Sequence, residues 1–303
     1  MVNVFSSPAP LLPEILALHG KWRTHNDAVI CDGQRLNWGQ FCAANHRFAH
    51  ALHHAGIGVG DRVGIVMSNG LPMVQALFGT MAAGACSVPI NLSVSDDALV
   101  SMLADAGVCA LVVSEDQLPR LRAIEQQLPE TITVRITEGA GGDGWSGLDA
   151  FVSNKPETLP GAAIADDTPL NIIYSSGTTG LPKGILHTQR GRRDWAYDLA
   201  IALRYHGRAR TLLTIGLYSN ISWVAMLCTL LAGGTLVVHR RFDAAAFLDT
   251  VAAERITHTA MVPIWSTVSP SAATPSWAAE DPKRTCPSSR NCTGRPTILP
   301  FST

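Results

Sequence analysis

Ile172-Ile173-Tyr174-Ser175-Ser176-Gly177-Thr178-Thr179-Gly180-Leu181-Pro182-Lys183-Gly184 is an apolar run that opens into three glycines, four hydroxyl side chains and one lysine. Glycines let a backbone approach a ligand closely. Successive N–H groups in such a loop form a concavity for anions. Ser175, Ser176, Thr178 and Thr179 add hydroxyl donors, Pro182 stiffens the approach, and Lys183 brings positive charge. The chain has only four lysines against nineteen arginines, so a lysine at this place points to a compact, mobile ammonium. The reading is a phosphate-gripping loop after a buried strand. It is not a Walker A loop: the spacing is G-x-x-G-x-x-K-G, and no Ser or Thr follows the lysine.

On both sides of the loop, strand-like and helix-like segments alternate. Before it come a helix at Trp38–His54 capped by Asn37, a strand at Arg62–Met67, a helix at Pro72–Ala83 and a strand at Ala85–Ile90. A helix follows at Ser95–Asp105, with Asp96 and Asp97 in its first turn where negative charge suits the dipole. Then come a strand at Val108–Val113, a helix at Glu115–Gln127 and a strand at Thr131–Ile136. Glu138–Pro160 reads as a polar connection. Beyond the loop, helices are predicted at Arg190–Leu203, Ile221–Leu231 and Ala244–Glu254, and strands at Thr211–Gly216, Thr235–His239 and Thr257–Val262. This rhythm implies parallel strands covered by helices.

The loop YSSGTTGLPKGI closely resembles the signature of the AMP-forming adenylating superfamily, which includes acyl-CoA synthetases, luciferases and peptide-synthetase adenylation domains. Leu77–Asn91 (LFGTMAAGACSVPIN), Leu230–Val238 (LLAGGTLVV) and Ile256–Pro263 (ITHTAMVP) resemble further segments of that family. The resemblance covers roughly residues 20–264. It implies an α/β fold of stacked, largely parallel sheets flanked by helices, as in the N-terminal domain of acyl-CoA synthetases, with the C-terminal subdomains absent. It also implies a two-step reaction, in which ATP activates a small-molecule carboxylic acid to an acyl-adenylate and a thiol such as coenzyme A takes the acyl group. Ser175, Ser176, Gly177, Thr178, Thr179, Gly180 and Lys183 would then grip the nucleotide phosphates, with Lys183 the catalytic cation and Mg²⁺ sharing the charge. In Leu212–Trp223 the family's aromatic-His pair is replaced by Tyr218-Ser219; Tyr218, Asn220 and Trp223 are the candidates for the acid site. The apolar stretch Ile221–Leu231 suggests a hydrophobic acyl group.

From Trp265 to Thr303 the pattern changes to six prolines, thirteen Ser or Thr and only three of Val, Ile and Leu, too few to offset ordering entropy. The expectation is an N-terminal adenylation domain over residues 1–264 and a disordered, aberrant tail over 265–303, as a frameshift or early stop would leave. Family segments expected beyond residue 264 are not found, so impaired turnover is expected. The alternative is a non-catalytic remnant that binds nucleotide or a partner.

Composition sets the remaining bounds. A net charge of −1 with 47% hydrophobic residues argues for a sizeable core and against a nucleic-acid partner. The seven cysteines form no CxxC pair and read as buried free thiols. No signal peptide or uninterrupted membrane span is seen, which gives the expectation of a soluble, cytoplasmic protein. The ten histidines show no HExxH, so no protein-held metal is expected. Gly139-x-Gly141-x-x-Gly144 fits a surface loop better than a dinucleotide fingerprint, because only a short polar stretch follows it and Asp166–Asp167 lie ahead of the next strand, not at its end. Arg190, Arg192 and Arg193 read as a solvated face. Oligomeric state is left open.

Overall fold

The computed structural model describes residues 9–175 and 182–261, and the backbone of a strand at 297–299. The chain opens with helix α1 (Leu12–Trp22) and a β-hairpin of β1 (Asp27–Cys31) and β2 (Gln34–Asn37), three elements that the sequence reading left unassigned. Helix α2 (Trp38–His54) follows. Its start is a reciprocal cap: Gln40 N donates to Asn37 Oδ1 (2.8 Å) and Asn37 N to Gln40 Oε1 (3.0 Å). Next come β3 (Arg62–Val66), α3 (Leu71–Ala82), β4 (Cys86–Pro89), α4 (Asp96–Asp105), β5 (Ala110–Val113), α5 (Leu118–Ala123) and β6 (Val134–Thr137). Ser95 caps α4 as expected, its Oγ accepting from Ala98 N at 3.3 Å.

The polar connection is more structured than its composition suggests. It holds a short antiparallel pair, β7 (Gly141–Gly142) and β8 (Trp145–Gly147), and helix α6 (Leu148–Val152). Gly141 has φ +81°, and a Cβ there would lie 2.5 Å from Gly147 N. Gly141 and Gly144 thus serve a tight hairpin.

The second half contains β9 (Pro169–Ser175), β10 (Lys183–Thr188), α7 (Gln189–Ala202), β11 (Arg210–Leu213), α8 (Asn220–Leu231), β12 (Thr235–Val238), α9 (Ala244–Ala253), β13 (His258–Ala260) and β14 (Thr297–Leu299). Two largely parallel sheets result. One has the order β10-β9-β4-β3-β5-β6-β8-β7, the other β14-β13-β11-β12-β1-β2. A single apolar cluster joins both sheets through α1, α2, α3 and α8. Helix α3 touches β3 and β4 of one sheet and β1 of the other.

In α8 ten of twelve residues are buried, including Trp223 at 0% exposure. A helix apolar on all sides is a core helix, so its composition reports core packing and carries no information about the acyl group. Among the described residues, no helix is long and apolar enough to cross a membrane. Burial raises the thiols of Cys31 and Cys42 to about 11 and those of Cys86 and Cys228 to about 12, the behaviour of inert core cysteines.

Candidate active site

Strands β9 and β10 pair antiparallel, with Lys183 opposite Ser175, Gly184 opposite Tyr174 and His187 opposite Asn171. The loop therefore closes a hairpin. β10 is an addition to the sequence reading, which ran the loop to Gly184 and resumed at α7. Its outer residues Ile185 and Leu186 are 49% and 53% exposed, so no buried-strand pattern marks this edge; backbone pairing to β9 makes the strand.

Ser175 and Lys183 thus stand side by side at the mouth of the loop. The Ser175 hydroxyl donates to Lys183 O at 3.5 Å, and both residues are exposed. Ser176, Gly177, Thr178, Thr179 and Gly180 lie outside the described residues. The strand leading into the loop is fixed from the side. Tyr174 donates its hydroxyl to Asp105 Oδ2 (2.6 Å) and Met102 O (3.0 Å) at the end of α4. Burial, with the Asp105 carboxylate, pushes the phenol well above its ordinary value, so it stays a donor.

A cavity of about 80 Å³ opens beside the loop mouth, lined by Pro89, Asn91, Met102, Tyr174, Ser175, Pro182 and Tyr218, with Val94. It brings two residues singled out from separate parts of the sequence, Ser175 and Tyr218, to one place. Burial raises the Tyr218 phenol.

The turn that carries Tyr218 is held by Asn69, a residue the sequence reading missed. Asn69 follows β3, is 8% exposed, and donates from Nδ2 to Ile215 O (3.0 Å) and His239 O (3.2 Å). Its Oδ1 accepts from Leu217 N at 2.9 Å. One amide thus ties the carboxyl end of β3 to the ends of β11 and β12 in the other sheet. The usable signal was the polar pair Ser68-Asn69 just beyond an apolar parallel strand, where ligand sites gather.

Asn220 and Trp223 belong to a second cluster. Trp223 is sealed in the core, 6.2 Å from Phe78 between ring centroids, and does not line the cavity. Asn220 is exposed, and its Oδ1 accepts from Arg192 Nη1 at 2.9 Å. Arg192 Nε donates to Asn171 Oδ1 at 3.1 Å, so the arginine links β9 to the start of α8.

Two of the three arginines read as a solvated face are in fact buried, Arg192 at 2% and Arg193 at 5%. The first turn of α7 lies under the hairpin, which turns positions 192 and 193 inward. Arg193 is paired with Asp166 (3.2 Å) and Asp194 (2.9 Å). Burial lowers Arg192 to about 10, leaving it charged near neutrality. Burial first, and the charge of Arg192 second, hold His187 at about 4, hence neutral. Among the described residues, no group of three or more His, Cys, Asp or Glu side chains is placed to hold a metal ion.

Residues 19–290 match the AMP-binding enzyme family. The chain is 28% identical over 227 residues to the long-chain-fatty-acid–CoA ligase FadD13 of Mycobacterium tuberculosis (strain ATCC 25618 / H37Rv), which covers 73% of this chain and 43% of the ligase. It is 30% identical over 261 residues to a feruloyl-CoA synthase of an Amycolatopsis species, covering 85% and 49%. The chain thus spans less than half the length of these two relatives. In fold it is similar to the inhibitor-bound N-terminal domain of FACL13 from M. tuberculosis (TM-score 0.76, 24% identity, 90% of this chain and 66% of that one). It is also similar to the anthranilate CoA ligase AuaEII in complex with anthranoyl-AMP (TM-score 0.79, 23% identity, 88% and 52%). With 272 consecutive residues, 19 to 290, inside the family match, the chain belongs to the AMP-binding enzyme family.

Proposed function

We propose that this chain carries the acid-activating site of an ATP-dependent, AMP-forming acid–thiol ligase. The observation that carries the reading is the hairpin register. It sets Ser175 and Lys183 side by side at the loop mouth, next to the cavity that also holds Tyr218. Ser175, Ser176, Gly177, Thr178, Thr179, Gly180 and Lys183 hold the β- and γ-phosphates of ATP. A carboxylate oxygen of the acid attacks the α-phosphorus, the bond to the bridging oxygen breaks, and pyrophosphate leaves with its electron pair. Both reactants are anions, so neutralised charge and fixed alignment are what the protein must supply. Lys183 serves the leaving group. Tyr218 lines the acid site, Asn220 stands at its far edge, and Trp223 backs it from the core. The unit proposed to do this is residues 1–264.

Among the described residues no group of three or more His, Cys, Asp or Glu is placed to hold a metal ion, so Mg²⁺ would arrive on the nucleotide's phosphates. Coenzyme A or another thiol is the proposed acceptor in the second step. On the part of the family's length that this chain spans, the second reading is nucleotide binding without turnover.

Carboxylate-dependent exchange of labelled pyrophosphate into ATP tests both. Turnover on the part of the family's length present here is proposed to be impaired, so the exchange expected is weak, and it falls on the order of 10²-fold in Lys183→Ala. ATP binding without exchange selects the second reading, and exchange indifferent to Lys183→Ala overturns the role of the loop.

A further inference from the structure

Arg192 and Arg193 are adjacent, both buried, and differently treated. Arg193 has two carboxylates. Arg192, at 2% exposure, has none within ion-pair distance among the described residues; its partners are the neutral amide oxygens of Asn171 and Asn220 and the rings of Trp195 and Trp223, 4.8 and 5.7 Å from the guanidinium carbon. Its Nη2 has no hydrogen-bond partner, and neither do two N–H groups of its own neighbours, Asn171 Nδ2 and Trp223 Nε1, both on residues 0% exposed. The unmet need around this guanidinium is therefore for an acceptor, and for negative charge. An isolated buried cation costs several kcal/mol unless something anionic reaches it.

Of the partners of Arg192, Asn171 and Trp223 are buried, Trp195 is half-buried and Asn220 is the most open to solvent. Asn220 is exposed and ends the partly exposed stretch Tyr218-Ser219-Asn220, which begins at the cavity shared with Ser175. Along β9, Asn171 lies four residues back from Ser175, roughly 13 Å at strand spacing, which bounds the path from the loop mouth to Arg192 at about the length of a ten-carbon diacid. His187, opposite Asn171, is neutral near pH 7, so one positive charge faces this place.

We propose that Arg192, screened by Asn220, receives a second carboxylate at the far end of the acid substrate, so that the site selects dicarboxylic acids. The incoming carboxylate replaces the Asn220 amide oxygen on Nη1 and takes up the free Nη2, giving the two-pronged pairing that guanidinium favours. A monocarboxylic acid of equal length leaves both requirements unmet. This inference rests on the acid-site reading of Tyr218 and Asn220.

The test is a binding measurement that needs no turnover: intrinsic tryptophan fluorescence, confirmed by calorimetry, with decanedioate, decanoate, acetate and chloride at constant ionic strength. We expect decanedioate to bind at least about tenfold more tightly than decanoate, and acetate or chloride not to compete at millimolar levels. Arg192→Met should abolish the preference. Asn220→Asp places a carboxylate on Arg192 from within; it should raise thermal stability and remove the preference, and it keeps the proposal testable if Arg192→Met does not fold. Equal binding of the two acids, a preference that survives Asn220→Asp, or displacement of decanedioate by chloride would overturn it. Failure of pyrophosphate exchange with every acid would count against the ligase reading, and the binding comparison stands apart from that result.

Discussion

Asn69 shows how much a single amide can organise. Its three hydrogen bonds join the ends of three strands from two sheets and hold the turn from Ile215 to Tyr218. Asn69→Ala leaves Leu217 N–H and two carbonyls without their partner in a buried place, at a cost of about 1–3 kcal/mol for an unmet group. Asn69→Asp keeps the acceptor for Leu217 but turns an oxygen toward Ile215 O and His239 O, and should be at least as damaging. Urea unfolding measures this. If the turn presents Tyr218 to the acid, Asn69→Ala also raises the KM for the acid more than the KM for ATP in the exchange assay. Equal changes in both would show that Asn69 supports the fold alone. Arg192 acts by a different physics: its value lies in charge, so a lysine there should keep more of the decanedioate preference than a methionine does.

Helices α2 and α3 pack where Gly79 meets Phe48. A Cβ on Gly79 would lie 2.7 Å from Phe48 Cδ1 and 2.8 Å from Phe48 Cβ. Turning the ring cannot relieve the contact with Cβ, which is fixed to the α2 backbone. Gly79→Ala gains about 1 kcal/mol of helix propensity, yet we expect a net loss of about 1–3 kcal/mol from overpacking, seen as a lower urea midpoint with unchanged slope. Gly79→Ala with Phe48→Leu should recover part of it. These elements also show what was legible in the sequence. α2, α3 and α4 were read within about a residue or two of their bounds, because caps and apolar spacing act locally. β10 was not, because an exposed edge strand depends on its neighbour and has no buried face to leave a pattern. The inward turn of Arg192 and Arg193 was missed for a related reason: three arginines in four residues look solvated until a hairpin is laid over their helix. The loop motif singled out Ser175 and Lys183, and the fold sets Tyr218 in the same cavity as Ser175. Asn69 and Asn171 left a trace as polar residues beside or within apolar strands, but sequence spacing cannot say which carbonyl or guanidinium they meet.

The titratable groups of the whole molecule give it a bounded range of stability. His19, His46, His187, His239 and His258 are all held below their ordinary value of 6.5, with burial the leading cause in each. Three of them donate a ring N–H to a backbone carbonyl: His19 to Leu231, His46 to Glu157 and His258 to Leu203. Each therefore takes up a proton more readily when unfolded. Their contribution is fully present above pH 6.5 and is lost as pH falls from there toward about 4, the value for His187. Asp116 and Glu254 are held below their ordinary values as well, so their stabilising contribution is lost in the same direction at lower pH. The alkaline side has the opposite sign and the same cause. Cys31, Cys42, Cys86 and Cys228 ionise near 9 when exposed but only at about 11 to 12 in the fold, so stability falls as pH rises past 9. The expected profile is a plateau between about pH 6.5 and 9 with a loss on each side. Thermal melts from pH 4 to 10 at fixed ionic strength measure it. His187→Gln should flatten the acid limb, because it removes a group that must otherwise charge beside Arg192, and Cys86→Ala should flatten the alkaline limb. Melting temperatures that stay level from pH 6.5 down to 4 would mean that the buried imidazoles accept protons within the fold. Arg192 would then no longer be the single positive charge at its end of the site, and the case for one matching carboxylate would weaken with it.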